Sequence, residues 1–307
     1  MVIQSWEDNG NELKLYLPKE FKFAENINYL SRNSKECLFH IDNNRIYKAI
    51  PIGEETLIIE VSSIEENDLI IRFVGEKKPT SKAIRVEVAH YVKEWFDLDR
   101  DLQPFYNMAK EDLLLGPAID SFYGLRIIGI PDLFEALCWG ILGQQINLSF
   151  AYTLKRRLVE KFGRSVVHEG FTYWVFPSPK DIASLSVEEL ESLRMTKKKS
   201  EYLIEVAQLM VQGKLTKDLL LNVDSHKQAE KTLVKIRGIG PWTANYVLMR
   251  CLRYPCAFPI DDVGLHNAIK HRLGKEMKPT KDEIMKLAVN WTNWESYATF
   301  YLWRYLY

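Results

Sequence analysis

The period of the hydrophobic pattern changes near residue 100, and this change constrains the fold of the chain more than any other feature. Before it, apolar and polar residues alternate, as in the run LKLYL at residues 13–17, which is the period of a half-buried strand. Short runs at 37–42 and 45–50 flank Asn43-Asn44, and Asn favours a tight hairpin turn because it tolerates positive φ. The first third is therefore predicted to be rich in antiparallel strands.

A helix is predicted at the end of this strand-rich part. β-branched runs at 56–61 and 69–74 are followed by a segment, 81–96, whose apolar residues recur at helical spacing. These apolar residues are Ile84, Val88, Val92 and Trp95. We therefore expect an α+β N-terminal domain, an antiparallel sheet with a helix, over residues 1–112.

From residue 113 onward the pattern is helical almost throughout. Asp132 stands before an apolar stretch with Glu135 three positions later, which is how a capped helix begins. Further helical patterns span residues 148–162, 187–193, 200–212, 225–236, 241–252, 262–273, 281–289 and 296–305. An all-α region is therefore expected over 113–307.

The charges are balanced overall but unevenly distributed. Lysine and arginine number 41, as do aspartate and glutamate, so the formal net charge is zero. The net charge is about −4 over residues 1–100 and about +5 over residues 121–250. A globally basic nucleic-acid-binding domain is excluded, whereas a basic face balanced by acidic residues elsewhere is not.

Nothing in the sequence indicates a disulfide framework, a metal clamp or a membrane segment. The cysteines, Cys37, Cys138, Cys251 and Cys256, include no C-x-x-C pair and are expected to be buried as small apolar residues. No stretch approaches the roughly 20 apolar residues that a membrane-spanning helix needs. The N-terminal residues also lack the basic and apolar parts of a signal peptide. We expect a cytoplasmic protein without membrane contact.

One loop has the composition of a phosphate-binding site. Gly238 and Gly240 flank one apolar residue and precede Pro241, which suits the first position of a helix. Such a loop can turn its N–H groups outward, and the following helix adds the positive end of its dipole. A Gly-x-Gly pair can equally mark only a tight turn, so this loop alone leaves both interpretations open.

Four segments of the second part, taken in order, resemble motifs of helix–hairpin–helix DNA glycosylases. They are ILGQQI at 141–146, IRGIGPWTANY at 236–246, PIDD at 259–262, and NWESYA with YLW at 293–303. The last is similar to the closing helix of one branch, the bacterial DNA-3-methyladenine glycosylase II enzymes. The resemblance implies that the strand-rich part is the α+β N-terminal domain of that branch and that 113–307 forms two helical subdomains.

The resemblance implies a monofunctional DNA glycosylase that flips and hydrolytically excises alkylated purines, of the 3-methyladenine and 7-methylguanine type, from duplex DNA in base excision repair. By position in the motifs, Asp262 is the catalytic carboxylate, which would stabilise an oxocarbenium-like sugar and orient water. Asp261 is expected to be the N-cap of the following helix or a structural partner. Trp242, Tyr246 and Trp303 are expected to form the base pocket, since aromatic faces attract cationic bases.

The resemblance also implies how the DNA backbone is held. The residues expected to contact DNA are Gln144, Gln145, Gly238 and Gly240. The glycine amides would bind a phosphate, and the glutamines would fill the gap left by the flipped nucleotide. The family holds a monovalent cation on hairpin carbonyls, which here would be those of Val234, Ile236 and Ile239. Arg237 and residues 197–199 are further candidates for phosphate contacts.

Two kinds of chemistry are not expected. Related bifunctional glycosylases place a Schiff-base lysine two residues after the second hairpin glycine, where this chain has Trp242, so β-lyase activity is disfavoured. Some relatives carry a four-cysteine iron–sulfur loop after the catalytic region, whereas all four cysteines here precede Asp262. No cofactor is expected to be required, and a monomer acting on damaged double-stranded DNA is expected.

Two alternatives remain open. The pocket could prefer a deaminated or oxidised purine, because aromatic walls do not specify one base edge. The chain could also be a non-catalytic DNA-binding protein that uses the hairpin only to hold a phosphate. Such a protein would need neither Asp262 nor the aromatic residues of the closing segment.

Overall fold

A computed structural model describes residues 6–53, 55–64, 68–76 and 78–306 of the chain. Residues 1–5, on which part of the expectation about a signal peptide rests, lie outside the described residues. The strands among the described residues are β1 (Trp6–Asp8), β2 (Glu12–Tyr16), β3 (His40–Asp42), β4 (Arg45–Ile52), β5 (Glu55–Ser62), β6 (Asp68–Phe73), β7 (Arg164–His168) and β8 (Phe171–Val175).

The first six strands form one antiparallel sheet in the order β1-β2-β6-β5-β4-β3. The alternation seen in the sequence sets the faces of this sheet, because Leu13 and Leu15 of β2 are buried and pair with apolar residues of β6. The turn between β3 and β4 is the Asn43-Asn44 pair, whose φ values are 48° and 58°. The predicted tight hairpin turn is therefore confirmed.

Helices make up most of the chain beyond the sheet. The α-helices among the described residues are α1 (Phe23–Leu30), α2 (Lys82–Trp95), α3 (Gln103–Ala109), α4 (Gly116–Phe122), α5 (Leu133–Leu142), α6 (Leu148–Phe162), α7 (Pro179–Ala183), α8 (Val187–Glu191), α9 (Lys197–Val211), α10 (Lys217–Leu221), α11 (His226–Val234), α12 (Pro241–Arg250), α13 (Val263–Arg272), α14 (Lys281–Leu287) and α15 (Glu295–Trp303). None of these helices combines the length and the apolar character that crossing a bilayer requires. An α+β N-terminal part followed by a helical region is confirmed.

The helical region also contains a two-stranded hairpin that the sequence analysis does not predict. β7 and β8 are joined at Glu169-Gly170, where both residues have positive φ. Tyr173 and Val175 of β8 are buried in one apolar cluster with Ala49 and Ile58 of the sheet. A two-stranded hairpin of this length is not stable in isolation. Packing against residues of the first sheet, which are distant in sequence, therefore stabilises β7 and β8.

Helix α1 fixes the N-terminal part against the helical region. The side-chain amide of Asn26 donates to the carbonyl oxygen of Gly124 at 3.0 Å, and its Oδ1 accepts from the backbone N–H of Arg126 at 3.0 Å. Buried apolar residues from both parts form one continuous core. The position of α1 matters because α1 borders the cleft described below.

A buried ion triad joins α6 to both parts of the chain. The ammonium of Lys155 lies 3.1 Å from Glu36 Oε2 and 3.0 Å from Glu135 Oε1, and all three side chains are nearly buried. Burial alone would lower the pKa of Lys155. The two carboxylates raise this pKa by more than burial lowers it, so the lysine stays charged. The two carboxylates share this one ammonium, and Glu36 Oε1 also accepts from the backbone N–H groups of Cys37 and Leu38.

We predict that Lys155→Met lowers the free energy of unfolding by about 3–5 kcal/mol, because two buried carboxylates lose their cation. Urea unfolding followed by circular dichroism measures the loss. The matched control is Arg156→Met on the same helix, where an exposed pair with Glu160 is lost at a cost of at most about 0.5 kcal/mol. Equal losses in the two variants would contradict the triad's role.

Candidate active site

A cleft of about 880 Å³ opens between α1, the loop that follows α5, and the helices α12, α13 and α15. It brings together seven residues that the sequence analysis singles out: Gln144, Gln145, Trp242, Tyr246, Asp261, Asp262 and Trp303. Two further residues of the cleft wall, Tyr29 and Arg32, come from the N-terminal part of the chain. The cleft is therefore the candidate site.

Asp262 is the centre of the hydrogen-bond network in this cleft. Its Oδ1 accepts from the backbone N–H of Leu265 at 2.7 Å and from the indole N–H of Trp303 at 2.8 Å. Its Oδ2 accepts from the indole N–H of Trp242 at 2.9 Å. Because donors from three elements meet both oxygens, the carboxyl group is held in one orientation.

Of the two roles expected for Asp261, helix cap or structural partner, the first is wrong. Asp262 has extended backbone angles and precedes the first helical residue, Val263, so it is Asp262 that caps α13. The carboxylate of Asp261 is exposed and instead pairs with Lys281 at 2.5 Å. One residue thus serves both as helix cap and as the carboxylate of the cleft.

The three predicted aromatic residues lie side by side in the cleft. The ring centroids of Trp242 and Tyr246 are 5.6 Å apart with planes at 30°, and those of Tyr246 and Trp303 are 6.3 Å apart with planes at 32°. Trp242 and Tyr246 share a face of α12 because they are four residues apart. Sequence reasoning anticipated the aromatic surface but not that both indole N–H groups donate to the carboxylate.

Gly264 is a site residue that sequence reasoning missed. A Cβ atom at this position would lie 2.8 Å from Asp262 Oδ1 and 3.2 Å from Trp303 Nε1. Any side chain there would disturb the hydrogen bond between the carboxylate and the indole. The available signal was a glycine in the first turn of a helix, a position that glycine does not ordinarily favour.

Gly238 and Gly240 of the hairpin differ in whether the surrounding structure leaves room for a side chain. Gly238 has a φ of +88°, and a Cβ there would lie 2.2 Å from the ring of Tyr202, whereas a Cβ at Gly240 would meet nothing within 4 Å. The backbone N–H groups of Gly238, Gly240 and Trp242 donate to no group within the part of the chain that the structure describes. Unpaired amides before a helix suit an anion such as phosphate.

The two glutamines after α5 have different surroundings. The side-chain amide of Gln144 donates to the carbonyl oxygen of Gly238 at 2.8 Å and to Thr243 Oγ1 at 3.0 Å. Gln145 is exposed and has a φ of +56°, which a residue other than glycine rarely adopts. Gln144 therefore braces the loop against the hairpin, while Gln145 projects from it.

The three hairpin carbonyls suggested for a cation also differ. The carbonyl oxygen of Ile236 accepts from the N–H of Ile239 at 3.0 Å. Those of Val234 and Ile239 accept no hydrogen bond from the described residues. Unpartnered carbonyl oxygens are ligands that a hard monovalent cation accepts, so the donor set is compatible with one.

Two basic residues near the hairpin form a hydrogen bond or an ion pair with other groups of the protein. Lys199 is buried, which lowers the pKa of its ammonium, and it donates to the carbonyl oxygen of Leu142 at 2.7 Å. The guanidinium of Arg237 lies 2.6 Å from Glu201 Oε2. Among the described residues, Lys197 and Lys198 keep exposed ammonium groups.

Arg250 is a second residue that sequence reasoning missed. Its Nη1 donates to the hydroxyl oxygens of Tyr246 at 2.9 Å and of Tyr29 at 3.3 Å, and its Nε donates to the carbonyl oxygen of Ile128 at 2.6 Å. Burial raises the pKa of Tyr246, so its phenol stays protonated. Arg250 therefore links the aromatic surface of α12 to α1 of the N-terminal part.

Two family models match the chain. Residues 138–293 match the model described as HhH-GPD superfamily base excision DNA repair protein. Residues 6–137 match the 8-oxoguanine DNA glycosylase N-terminal domain. Together the two matches span both parts of the fold.

Several known proteins are similar to this chain. It is 53% identical to the DNA-3-methyladenine glycosylase of Bacillus subtilis over 99% of this chain and 100% of that protein. It is 34% identical to DNA-3-methyladenine glycosylase 2 of Escherichia coli over 59% of this chain and 60% of that protein. A 3-methyladenine DNA glycosylase from Archaeoglobus fulgidus has the same fold, with a TM-score of 0.81 and 20% identity over 95% and 97% of the two chains.

We predict that Gly238→Ala lowers the free energy of unfolding by about 2–4 kcal/mol, because the methyl group meets the Tyr202 ring and the backbone is left-handed. Gly240→Ala is the matched control in the same hairpin, with an expected loss of at most about 1 kcal/mol. Denaturant unfolding of both variants provides the comparison. Similar midpoints for the two variants would show that the ring contact does not require glycine at 238.

Proposed function

The chain belongs to the HhH-GPD superfamily of base excision DNA repair proteins, and we propose that it is a DNA glycosylase that hydrolyses the N-glycosidic bond of alkylated purines in duplex DNA. The observation that carries the proposal is the carboxylate of Asp262, held by two indole N–H groups beside a stacked aromatic surface. The hairpin with its unpaired amides adjoins it through Trp242, which lies two residues after Gly240. A protein that only held DNA would need no such carboxylate.

The chemistry follows from what base release requires. A target base inside the duplex stack must be extruded before the enzyme can reach its glycosidic bond. As that bond breaks, positive charge develops on the sugar, and a fixed carboxylate stabilises this charge more than it stabilises the ground state. The carboxylate of Asp262 can also orient the attacking water or accept its proton.

The aromatic surface suits an alkylated base. Alkylation at N3 or N7 leaves the purine ring cationic, and a cation over an aromatic face gains about 0.5–2 kcal/mol. Trp242, Tyr246 and Trp303 supply such faces at the carboxylate. A cationic base is also a better leaving group, so a pocket without a strong general acid suffices.

The DNA backbone is bound mainly by amides. The free N–H groups of Gly238, Gly240 and Trp242 point to a phosphate contact, strengthened by the dipole of α12. Of the two glutamines, Gln145 is the one whose side chain is free to enter the gap left by the base. Gln144 instead holds the hairpin at the correct distance from that loop.

A monovalent cation at the hairpin is compatible with the unpartnered carbonyl oxygens of Val234 and Ile239, with Ile236 as the third ligand. Its contribution would be positive charge next to the bound phosphate. No required cofactor is proposed. The four cysteines are free thiols, and the described residues contain no cluster of three or more histidine, cysteine or carboxylate side chains able to hold a metal.

Hydrolysis without β-lyase activity is part of the proposal. A lyase forms a Schiff base through an amine close to the sugar. Among the described residues that line the cleft there is no lysine, and Trp242 occupies the position after the hairpin where bifunctional relatives carry one. Water is therefore the nucleophile, and an abasic site in an unbroken strand is the product.

We predict that Asp262→Asn lowers the rate of 7-methylguanine release from a methylated duplex by about a hundredfold or more, because the negative charge at the sugar is lost. Asparagine caps helices as well as aspartate does, but its amide nitrogen cannot accept from the indole N–H of Trp242. The thermal midpoint of the variant is therefore recorded, and rates are compared at a temperature where both proteins are folded. Base release under single-turnover conditions measures the effect.

Asp261→Asn is the matched control, because it removes the same charge one residue away and loses only an exposed pair with Lys281. Its rate should stay within about twofold of the parent rate, as exposed ion pairs contribute little. An equal loss of the release rate in both variants would show that Asp262 is not the catalytic carboxylate.

We also predict that the product strand stays intact until it is treated with alkali, and that borohydride traps no covalent enzyme–DNA complex, because no amine reaches the sugar. Gel electrophoresis of the labelled strand, with and without alkali, makes the measurement. A bifunctional glycosylase run in parallel serves as the positive control. Strand cleavage without alkali would refute hydrolysis as the sole reaction.

A further inference from the structure

The cleft has two ends along α12. Trp242, Tyr246 and Arg250 lie on one face of this helix at steps of four residues, which places the first and last about 12 Å apart along the helix axis. The indole N–H of Trp242 donates to Asp262, so the proposed glycosylase function places the sugar at this end of the cleft. Arg250 is bonded to Tyr29, so the opposite end is formed with α1.

Arg32 stands at this far end with most of its hydrogen-bonding capacity unused. Its guanidinium lies 3.8 Å from the centre of the Tyr29 ring, and Nη1 donates to the carbonyl oxygen of Tyr29 at 2.8 Å. A guanidinium has five N–H donors, and the described residues offer Arg32 no other hydrogen-bond acceptor. The side chain is partly buried and lines the cleft.

Arg250, the second arginine at this end of the cleft, donates its hydrogen bonds to other groups of the protein. Both Nε and Nη1 of Arg250 donate to protein oxygens, and the residue is 5% exposed. Glu36, the carboxylate that also faces this region, is paired with Lys155. Among the described residues that line the cleft, Arg32 is thus the cationic group whose donors remain available to a ligand.

A purine bound with its sugar at Asp262 presents the opposite edge of its ring to this end. The sugar is attached at N9, and the substituent at C6 lies on the far side of the six-membered ring. Guanine-type and deaminated purines carry an O6 acceptor there, whereas adenine-type purines carry an N6 amine that donates. A guanidinium is attracted to the first group and finds no acceptor in the second.

We propose that Arg32 is a specificity-determining residue that donates to O6 of the flipped base and so favours 6-keto purines, such as 7-methylguanine and hypoxanthine, over 3-methyladenine. This inference rests on the proposed glycosylase function and names the substrate class of that same cleft. The stacking of Arg32 on Tyr29 fixes the plane of the guanidinium, as directed recognition of a base edge requires.

The test compares bases in one reaction. DNA treated with dimethyl sulfate contains both 7-methylguanine and 3-methyladenine, which are both cationic. Because the bases differ at several positions, the measured quantity is the change in the ratio of their release rates between the parent and a variant at residue 32. We expect Arg32→Met to lower this ratio by about tenfold, which is within what one arginine–purine contact discriminates. Hypoxanthine release from a defined duplex should fall by a similar factor.

Arg32→Gln keeps an N–H donor without the charge, so its ratio should lie between those of the parent and Arg32→Met. Lys35→Met removes the same charge three residues away, outside the cleft lining, and should leave the ratio unchanged. Release of 3-methyladenine by each variant shows that the variant is folded.

The outcomes separate the two claims. An unchanged ratio, or a parallel fall for every base, would assign Arg32 to DNA backbone contact or to structure and overturn its role in specificity while leaving the glycosylase function intact. Absence of release of any base by the parent protein would refute the proposed function itself. A selective fall for the 6-keto bases supports the inference.

Discussion

The cleft depends on one carboxylate that accepts three hydrogen bonds from three different elements. Asp262 begins α13 as its N-cap, and it holds an indole of α12 and an indole of α15 at 2.9 and 2.8 Å. The helix cap fixes where the carboxylate lies, and the indoles fix how it is turned. Such preorganisation matters because a group that stabilises charge only in the transition state must not need to reorient when the charge appears. Gly264 permits this arrangement, since a side chain there would occupy the same space.

The N-terminal part is a component of the site rather than an appendage. Tyr29 of α1 shares the guanidinium of Arg250 with Tyr246, so the aromatic surface of α12 is held from the N-terminal side. Asn26 and the buried triad around Lys155 keep α1 in place relative to the helical region. A helical region without α1 would leave one wall of the cleft missing and Arg250 short of a partner.

The sequence predicted what is local or carried by a motif. The turn at Asn43-Asn44 was predictable because those two residues make it alone. The four ordered motifs singled out Asp262 and the aromatic residues, which the structure brings together in one cleft. Contacts that join distant residues could not be read in this way. The pairing of Arg250 with Tyr29 spans 221 residues, and the hairpin β7–β8 owes its stability to a sheet more than 100 residues earlier. Whether Asp261 or Asp262 is the N-cap depends on a shift of the helix start by one residue. Helix propensity does not locate a helix start that closely.

The zero net charge now has a physical interpretation. The basic excess of the helical region includes Lys199 and Arg237, yet both are bonded to the protein. At the hairpin itself the backbone amides of Gly238, Gly240 and Trp242 are free to meet a phosphate, and they attract an anion through their dipoles while carrying no formal charge. Lys197 and Lys198 add two exposed charges nearby. Counterion release depends on the number of lysine and arginine charges placed on phosphates. A protein that must move along DNA and interrogate many undamaged bases benefits from a contact of this kind, because it positions the duplex at the cleft without the strong, salt-dependent affinity of a basic surface.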